Sequence, residues 1–321
     1  VKAEDVLRLS DFLARQGISM WVPTLITAPH ASLLRRCRLL GELMQDRCFS
    51  ASVPGIHLEG PYISPLDGPR GAHEKAFVRK PDLREFERLY KATGERILYV
   101  TVAPEMDGAI PFIRAVTRMG VVVALGHHAA EAECIQKAVD AGARLCTHLG
   151  NGMASQIHRH HNPLWAQLAN DQLTASLIAD LEHLPQDVLK TFVRAKGPRK
   201  VILTSDVVHL AGLPAGAYSL LGVSVELKKT GRICLSGTDL LAGSSLMLLQ
   251  GVFNAARATD LSLKQAFDCA TRIPCRFFNL RKHYRPVVGK KADFILLNVQ
   301  RRTGGDMPKV VAVFINGERK R

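Results

Sequence analysis

Apolar runs of strand length recur along the chain, and segments of helical spacing lie between them. The runs are "MWVPTLITA" (20–28), "SVPGIHLEG" (52–60), "ILYVTVAPE" (97–105), "VVVALGHH" (121–128), "RLCTHLGN" (144–151), "TASLIADLEH" (174–183) and "KVILTSDVVH" (200–209). They are too uniformly apolar for strands with one wet face, so they predict strands covered on both sides. Helices are predicted over 84–93, 108–119, 130–142 and 185–196, and the helix-like "KAEDVLRLSDFLARQG" precedes the first run. Strands alternating with helices imply right-handed crossovers and a parallel α/β sheet.

The ends of the runs choose between an open doubly wound sheet and a barrel. Nearly every run stops at a residue able to do chemistry: Glu59, His127, His148, Asp180 with His183, and Asp206. Parallel strands closed into a barrel bring such ends to one mouth. A doubly wound sheet usually carries a glycine-rich phosphate turn after an early strand, and none occurs here. The expectation is therefore a (β/α)8 TIM-like barrel over 1–280, with 281–321 as the C-terminal part of a small β domain. Only seven barrel strands are counted, so the first barrel strand and the N-terminal β strands of the small domain are expected upstream of Val1. Past Asp206, 217–237 alternates like a hairpin, while 241–256 and 261–272 read as closing helices.

The composition suits a globular protein with a large core: 321 residues, 47% hydrophobic and 22% charged. A net charge of +14 would suit nucleic acid, but the basic residues are scattered and no aromatic-studded basic motif accompanies them, so no nucleic-acid partner is expected. Seven widely spaced cysteines read as reduced thiols and point to the cytoplasm. No apolar run reaches the ~18 residues of a membrane span.

Glu59, His127 and His148 are ligand types suited to a divalent ion such as zinc, with water completing an open catalytic site. Asp206 is placed to take a proton from that water and pass it on. Singly, each has a plainer explanation: a strand-terminal carboxylate can be a helix cap or loop anchor, and a buried histidine can be a hydrogen-bonded core residue. Their repetition at the same end of successive strands favours chemistry.

The stretches "GIHLEGPYISPLDGPRGAH", "LGHHAAEAE", "CTHLGNGM", "SLIADLEH", "LTSDVVHLAGLPAGAY", "GTDLLAGSSLML" and "GKKADFILLN", in that order, resemble the motifs of N-acetylglucosamine-6-phosphate deacetylases of the amidohydrolase superfamily. The resemblance implies Glu59, His127 and His148 as metal ligands, holding one or two ions, most simply zinc. It implies Asp206 as the catalytic acid/base and His73 as a group that contacts the substrate and polarises its carbonyl. Asn151, Gly152, His183 and Arg159 fall at substrate contacts, Arg159 at the position that binds phosphate across a homodimer. The implied reaction is hydrolysis of an N-acetylated amino sugar phosphate to the amine and acetate.

Departures from the family pattern sit at the pocket rim. Arg159 lies in "SQIHRHHNPLW" where the family has an acidic-Pro-Gly turn, and "THLGNGM" has glycines where the family tends to carry a bulky residue and an alanine. Two alternatives follow: a related amidohydrolase acting on another N-acyl or cyclic amide, and a non-catalytic binding or scaffold descendant.

Overall fold

Seven parallel strands lie side by side in sequence order, β1 (Thr24–Ile26), β2 (Ile56–Glu59), β3 (Ile97–Val102), β4 (Val122–Leu125), β5 (Leu145–Cys146), β6 (Thr174–Ile178) and β7 (Val201–Thr204). The computed structural model describes residues 2–220, 222–280, 287–289, 292–300 and 307–321. All residues of β2 and β6 are buried, as the uniformly apolar runs predict for strands covered on both faces. Several strands are shorter than their runs. Pro23 precedes β1 and brings no N–H to a ladder, and β5 pairs over two residues before the chain turns at Thr147.

The helices on the outer face are α1 (Ala3–Arg15), α2 (His30–Leu43), α3 (Arg47–Ser52), α4 (Leu83–Ala92), α5 (Ala109–Arg118), α6 (Ala132–Ala141), α7 (Pro163–Ala169), α8 (Gln186–Lys196), α9 (Leu248–Ala258), α10 (Leu263–Ala270) and α11 (Arg272–Phe277). Their starts are written in the sequence. The Asp82 carboxylate accepts from the amides of Arg84 and Glu85 to cap α4, and Asn162 caps α7 just before a proline at the first helical position. Leu33, Phe86, Ile113, Ile135 and Leu189 project from successive helices onto the sheet and are fully or almost fully buried. Truncating one of them to alanine would cost about 2–5 kcal/mol.

The curled sheet is open rather than closed: β1 and β7 are its edges and do not pair with each other among the described residues. A cavity of about 1120 Å³ lies along this opening, reaching from Trp21, Phe278 and Phe294 inward to His57, Glu59, His148 and Asp206. The expected hairpin at 217–237 is a three-stranded antiparallel sheet, β8 (Gly216–Leu220), β9 (Val223–Leu227) and β10 (Ile233–Leu235). Its core of Leu210, Leu220, Val225, Leu227 and Ile233 takes in Ala72, so this insert packs on the loop that carries His73.

The tail forms β11 (Phe294–Gln300), β12 (Met307–Ile315) and β13 (Glu318–Arg319). Too small to stand alone, this sheet seats Val310, Val313 and Ile315 against Ala14 of α1 and Leu249 of α9. The boundary expected after residue 280 runs into 281–286, which lie outside the described residues. All seven cysteines are free thiols. No helix among the described residues is long and apolar enough to cross a membrane.

Candidate active site

The strand ends aim their side chains into the mouth by means of unusual backbone. Glu59 is the last residue of β2, and Gly60 after it has φ +77; a Cβ there would lie 2.2 Å from Thr27 Oγ1, so only glycine fits. His127, His148 and Asp206 each stand two residues past a strand, with φ of +54, +28 and +50. Left-handed backbone costs a non-glycine residue about 1–2 kcal/mol, and it persists where the surroundings fix it.

The result is a tight triangle. His127 Nε2 and His148 Nε2 each lie 2.9 Å from Glu59 Oε1 and 3.0 Å from each other, all three side chains being buried. His127 Nδ1 lies 2.9 Å from the carbonyl oxygen of Pro69, which can only accept, so Nδ1 carries the proton and Nε2 offers a lone pair. That lone pair faces a carboxylate oxygen and a second imidazole nitrogen. Three electron-rich atoms at such distances in a buried place need a cation among them. A carboxylate oxygen and two imidazole nitrogens fit the donor set of a catalytic zinc, and these three residues would hold such an ion.

Burial opposes charge on His148, yet its contact with Glu59 raises its pKa to about 9. Burial likewise disfavours a charged Glu59, but the two histidines overcome it and hold the carboxyl well below its ordinary range. The other ring nitrogen of His148, Nδ1, is buried with no hydrogen-bond partner among the described residues.

His73 borders the triangle. Its Nε2 is 3.9 Å from Glu59 Oε1, its ring centroid is 4.4 Å from that of His127, and its Nδ1 is 2.8 Å from Thr27 Oγ1. Glu59, His73 and His127 each offer a ligand atom within 4.8 Å of the others, so His73 is also close enough to take part in holding an ion. Burial and the neighbouring His127 push its pKa down to about 3, so its ring is neutral.

The family model described as "Amidohydrolase family" matches residues 3–320. The chain belongs to the amidohydrolase family. Among curated relatives, N-acetylgalactosamine-6-phosphate deacetylase of Escherichia coli is 32% identical over 280 residues, covering 87% of this chain and 73% of that protein. N-acetylglucosamine-6-phosphate deacetylase of Vibrio furnissii is 30% identical over 291 residues, covering 90% and 72%. The solved structure of N-acetyl-D-glucosamine-6-phosphate deacetylase from Mycobacterium smegmatis matches with a TM-score of 0.87 at 30% identity, covering 97% of this chain and 80% of that one. The resemblance read from the motifs is thus borne out.

In this amidohydrolase Asp206, half-buried, lines the same cavity as Glu59 and His148. Burial first and Glu59 second raise its pKa to about 6, partly offset by His148, His183 and His127. Gly152, with φ +57, lies flat against the ring of His127: a Cβ there would sit 2.7 Å from its Nδ1. Asn151 turns back to donate from its side-chain amide to the carbonyl of His148 at 3.1 Å. His183 is held by Asp180, Nδ1 to Oδ2 2.7 Å. Arg159 stands apart from this group, on a segment whose residues 155–161 are all exposed.

One residue escaped the sequence reading. His57 lies beneath Glu59, stacked on Tyr99 at a centroid distance of 3.8 Å. Its Nδ1 is 3.2 Å from Thr24 Oγ1 and its Nε2 is 2.7 Å from Thr101 Oγ1, which is in turn 2.7 Å from Thr147 Oγ1. Four strands or strand ends are tied by this chain below the triangle. The period-two spacing from Glu59 was the available signal, since alternate residues of a strand share a face.

Proposed function

We propose that this amidohydrolase removes the acetyl group from an N-acetylated amino sugar 6-phosphate, N-acetylglucosamine 6-phosphate or its galacto epimer. The observation that carries the reading is the Glu59, His127 and His148 triangle with a carboxyl of raised pKa beside it, on a chain whose relatives are named deacetylases of such sugars.

Glu59, His127 and His148 are the residues that would hold a divalent ion, most simply zinc. Such an ion supplies Lewis-acid polarisation of the amide carbonyl and makes water a better nucleophile near neutral pH. Asp206 takes the proton from the attacking water and delivers it to the departing amine, so that the C–N bond breaks to acetate and a free amino sugar. His73 assists at the carbonyl oxygen. For its Nε2 to donate there, Thr27 must donate its hydroxyl hydrogen to Nδ1, and the neutral ring is suited to that role. Asn151, Gly152 and His183 line the sugar side.

Arg159, exposed and without a side-chain partner among the described residues, suits a phosphate contact made in a homodimer. An eighth strand joining β1 to β7 would close the barrel over the apolar opening between them. The free thiols suit a reducing compartment such as the cytoplasm.

The test is acetate release by zinc-loaded protein from a panel of both epimers, each with and without the 6-phosphate. The reading expects turnover of at least one phosphorylated sugar well above its unphosphorylated form. Equal turnover of the two forms would move the protein to another N-acyl amine, and none on any N-acyl substrate would make it a binding protein.

A further inference from the structure

We propose that Asp180 is a positioning residue that fixes the ring of His183 with Nε2 toward the ligand, and that Ser244 completes its hold. This rests on the reading above only in that His183 faces the sugar. The turn after β6 is built on one carboxylate. Asp180 Oδ1 accepts from the backbone amides of Glu182 at 2.9 Å and His183 at 2.8 Å, while Oδ2 accepts from His183 Nδ1 at 2.7 Å and Ser244 Oγ at 2.9 Å. The side chains of Asp180 and His183 are only 8% and 5% exposed, so little water competes for these contacts.

A turn alone would need only Oδ1. The second oxygen is spent on the ring and on a hydroxyl from the far side of the β8 to β10 insert. Burial disfavours charge on this carboxyl, but its hydrogen bonds to His183 and Ser244 outweigh that and hold its pKa below the ordinary value, so it is ionised. An ionised carboxylate can only accept, so His183 Nδ1 is always the protonated nitrogen, and Nε2 is the atom left to meet a ligand.

The ring lies near the mouth. The imidazole of His183 is among the groups that act electrostatically on Asp206, and the backbone amide of Ser244 donates to the carbonyl of Asp206 at 2.9 Å. Ser244 therefore ties the grip on His183 to the backbone of the proposed acid/base. Leu181, between the two partners, has φ +68, a strained conformation that the Asp180 bonds help to retain. Asn254 Nδ2 donates to the carbonyl of Ala179 at 3.0 Å and fixes the turn from below.

The decisive variant is Asp180→Asn. Its Oδ1 can still accept from both amides, so the turn is kept, but its Nδ2 presents hydrogens to His183 Nδ1 and drives the ring to the opposite tautomer. Nitrogen NMR of the isotopically labelled, metal-loaded protein reads this directly, with the His183 signal assigned by its loss in His183→Gln. The expected result is a swap of the protonated nitrogen, KM for the phosphorylated sugar raised about tenfold, the upper end of what one neutral hydrogen bond contributes, and kcat within about threefold of wild type.

Ser244→Ala should raise KM about threefold with the tautomer unchanged, as expected of one neutral hydrogen bond. Wild-type tautomer and KM in Asp180→Asn overturn the proposal. If that variant fails to fold, an unchanged KM in Ser244→Ala overturns it instead. A wild-type protein inactive on every sugar phosphate defeats the substrate reading alone, because the tautomer measurement needs no turnover.

Discussion

Two loops leave the mouth of the sheet, and they are held very differently. The loop after β2, residues 60–82, carries His73 and is pinned at several points. Its Ser64 amide donates to the carbonyl of His127 at 2.9 Å, and its Arg79 makes two hydrogen bonds to the buried Glu85 at 2.9 and 2.7 Å while donating to the carbonyls of Ala28 and Phe77. His30 and Tyr62 complete the surroundings of Glu85 at 2.7 and 3.1 Å. The loop after β5, residues 151–162, carries Arg159, and its contacts around that residue are local: His158 Nδ1 accepts from the amides of His160 and His161, and Trp165 donates to the carbonyl of Arg159. The end of the site proposed to handle the amide is preorganised by the chain itself. The proposed phosphate contact stands on an exposed segment held by local bonds.

This contrast can be tested by substitution. The largest effect belongs to the preorganised end: Asp206→Asn should lower kcat by about 10³-fold with metal content unchanged, read by acetate release beside metal analysis. Near-normal turnover would remove Asp206 from the chemistry.

Next is the pin. Arg79→Met leaves Glu85 buried without its main partner and should cost about 3 kcal/mol in denaturant unfolding. The sign of its pH dependence follows from Glu85. Burial pushes that carboxyl up, but Arg79 and His30 override it and hold it below its ordinary value. A depressed carboxyl contributes stability above its unfolded pKa of ~4.3 and loses it as pH falls through the folded value. The wild type should therefore lose this contribution on acidification below about pH 4, and Arg79→Met should show little of that loss.

The open loop should give the smallest effects. Arg159→Ala should raise KM about tenfold for phosphorylated sugars only, one charge-assisted contact, while His161→Ala should change it less than about twofold. A fall in kcat on unphosphorylated sugars in Arg159→Ala would show that this loop also shapes the hydrolytic end.

The hydrophobic pattern made the parallel sheet legible because strands covered on both faces leave unbroken apolar runs, and Glu59, His127, His148 and Asp206 were legible because they interrupt those runs at one end. What stayed hidden depends on contacts across the fold. His57 sits inside a run and looks like any strand residue until Thr24 and Thr101, from neighbouring strands, are seen on its two nitrogens. Asp180 was visible as a strand-end acid, but its grip on His183 requires Ser244, which lies 64 residues away in sequence. The shortness of β5 follows from the backbone turn that begins at Thr147 and takes His148 into left-handed backbone, which no residue-type preference announces.

The left-handed backbone at His127, His148 and Asp206 sets thermal hardiness against turnover. Glycine would relax the backbone at all three, but at His127 and His148 it would empty the space of a buried ring, so a breeding scheme that rewarded only survival of heating would first drift toward glycine at the half-buried Asp206 and shed the proposed acid/base before the two rings.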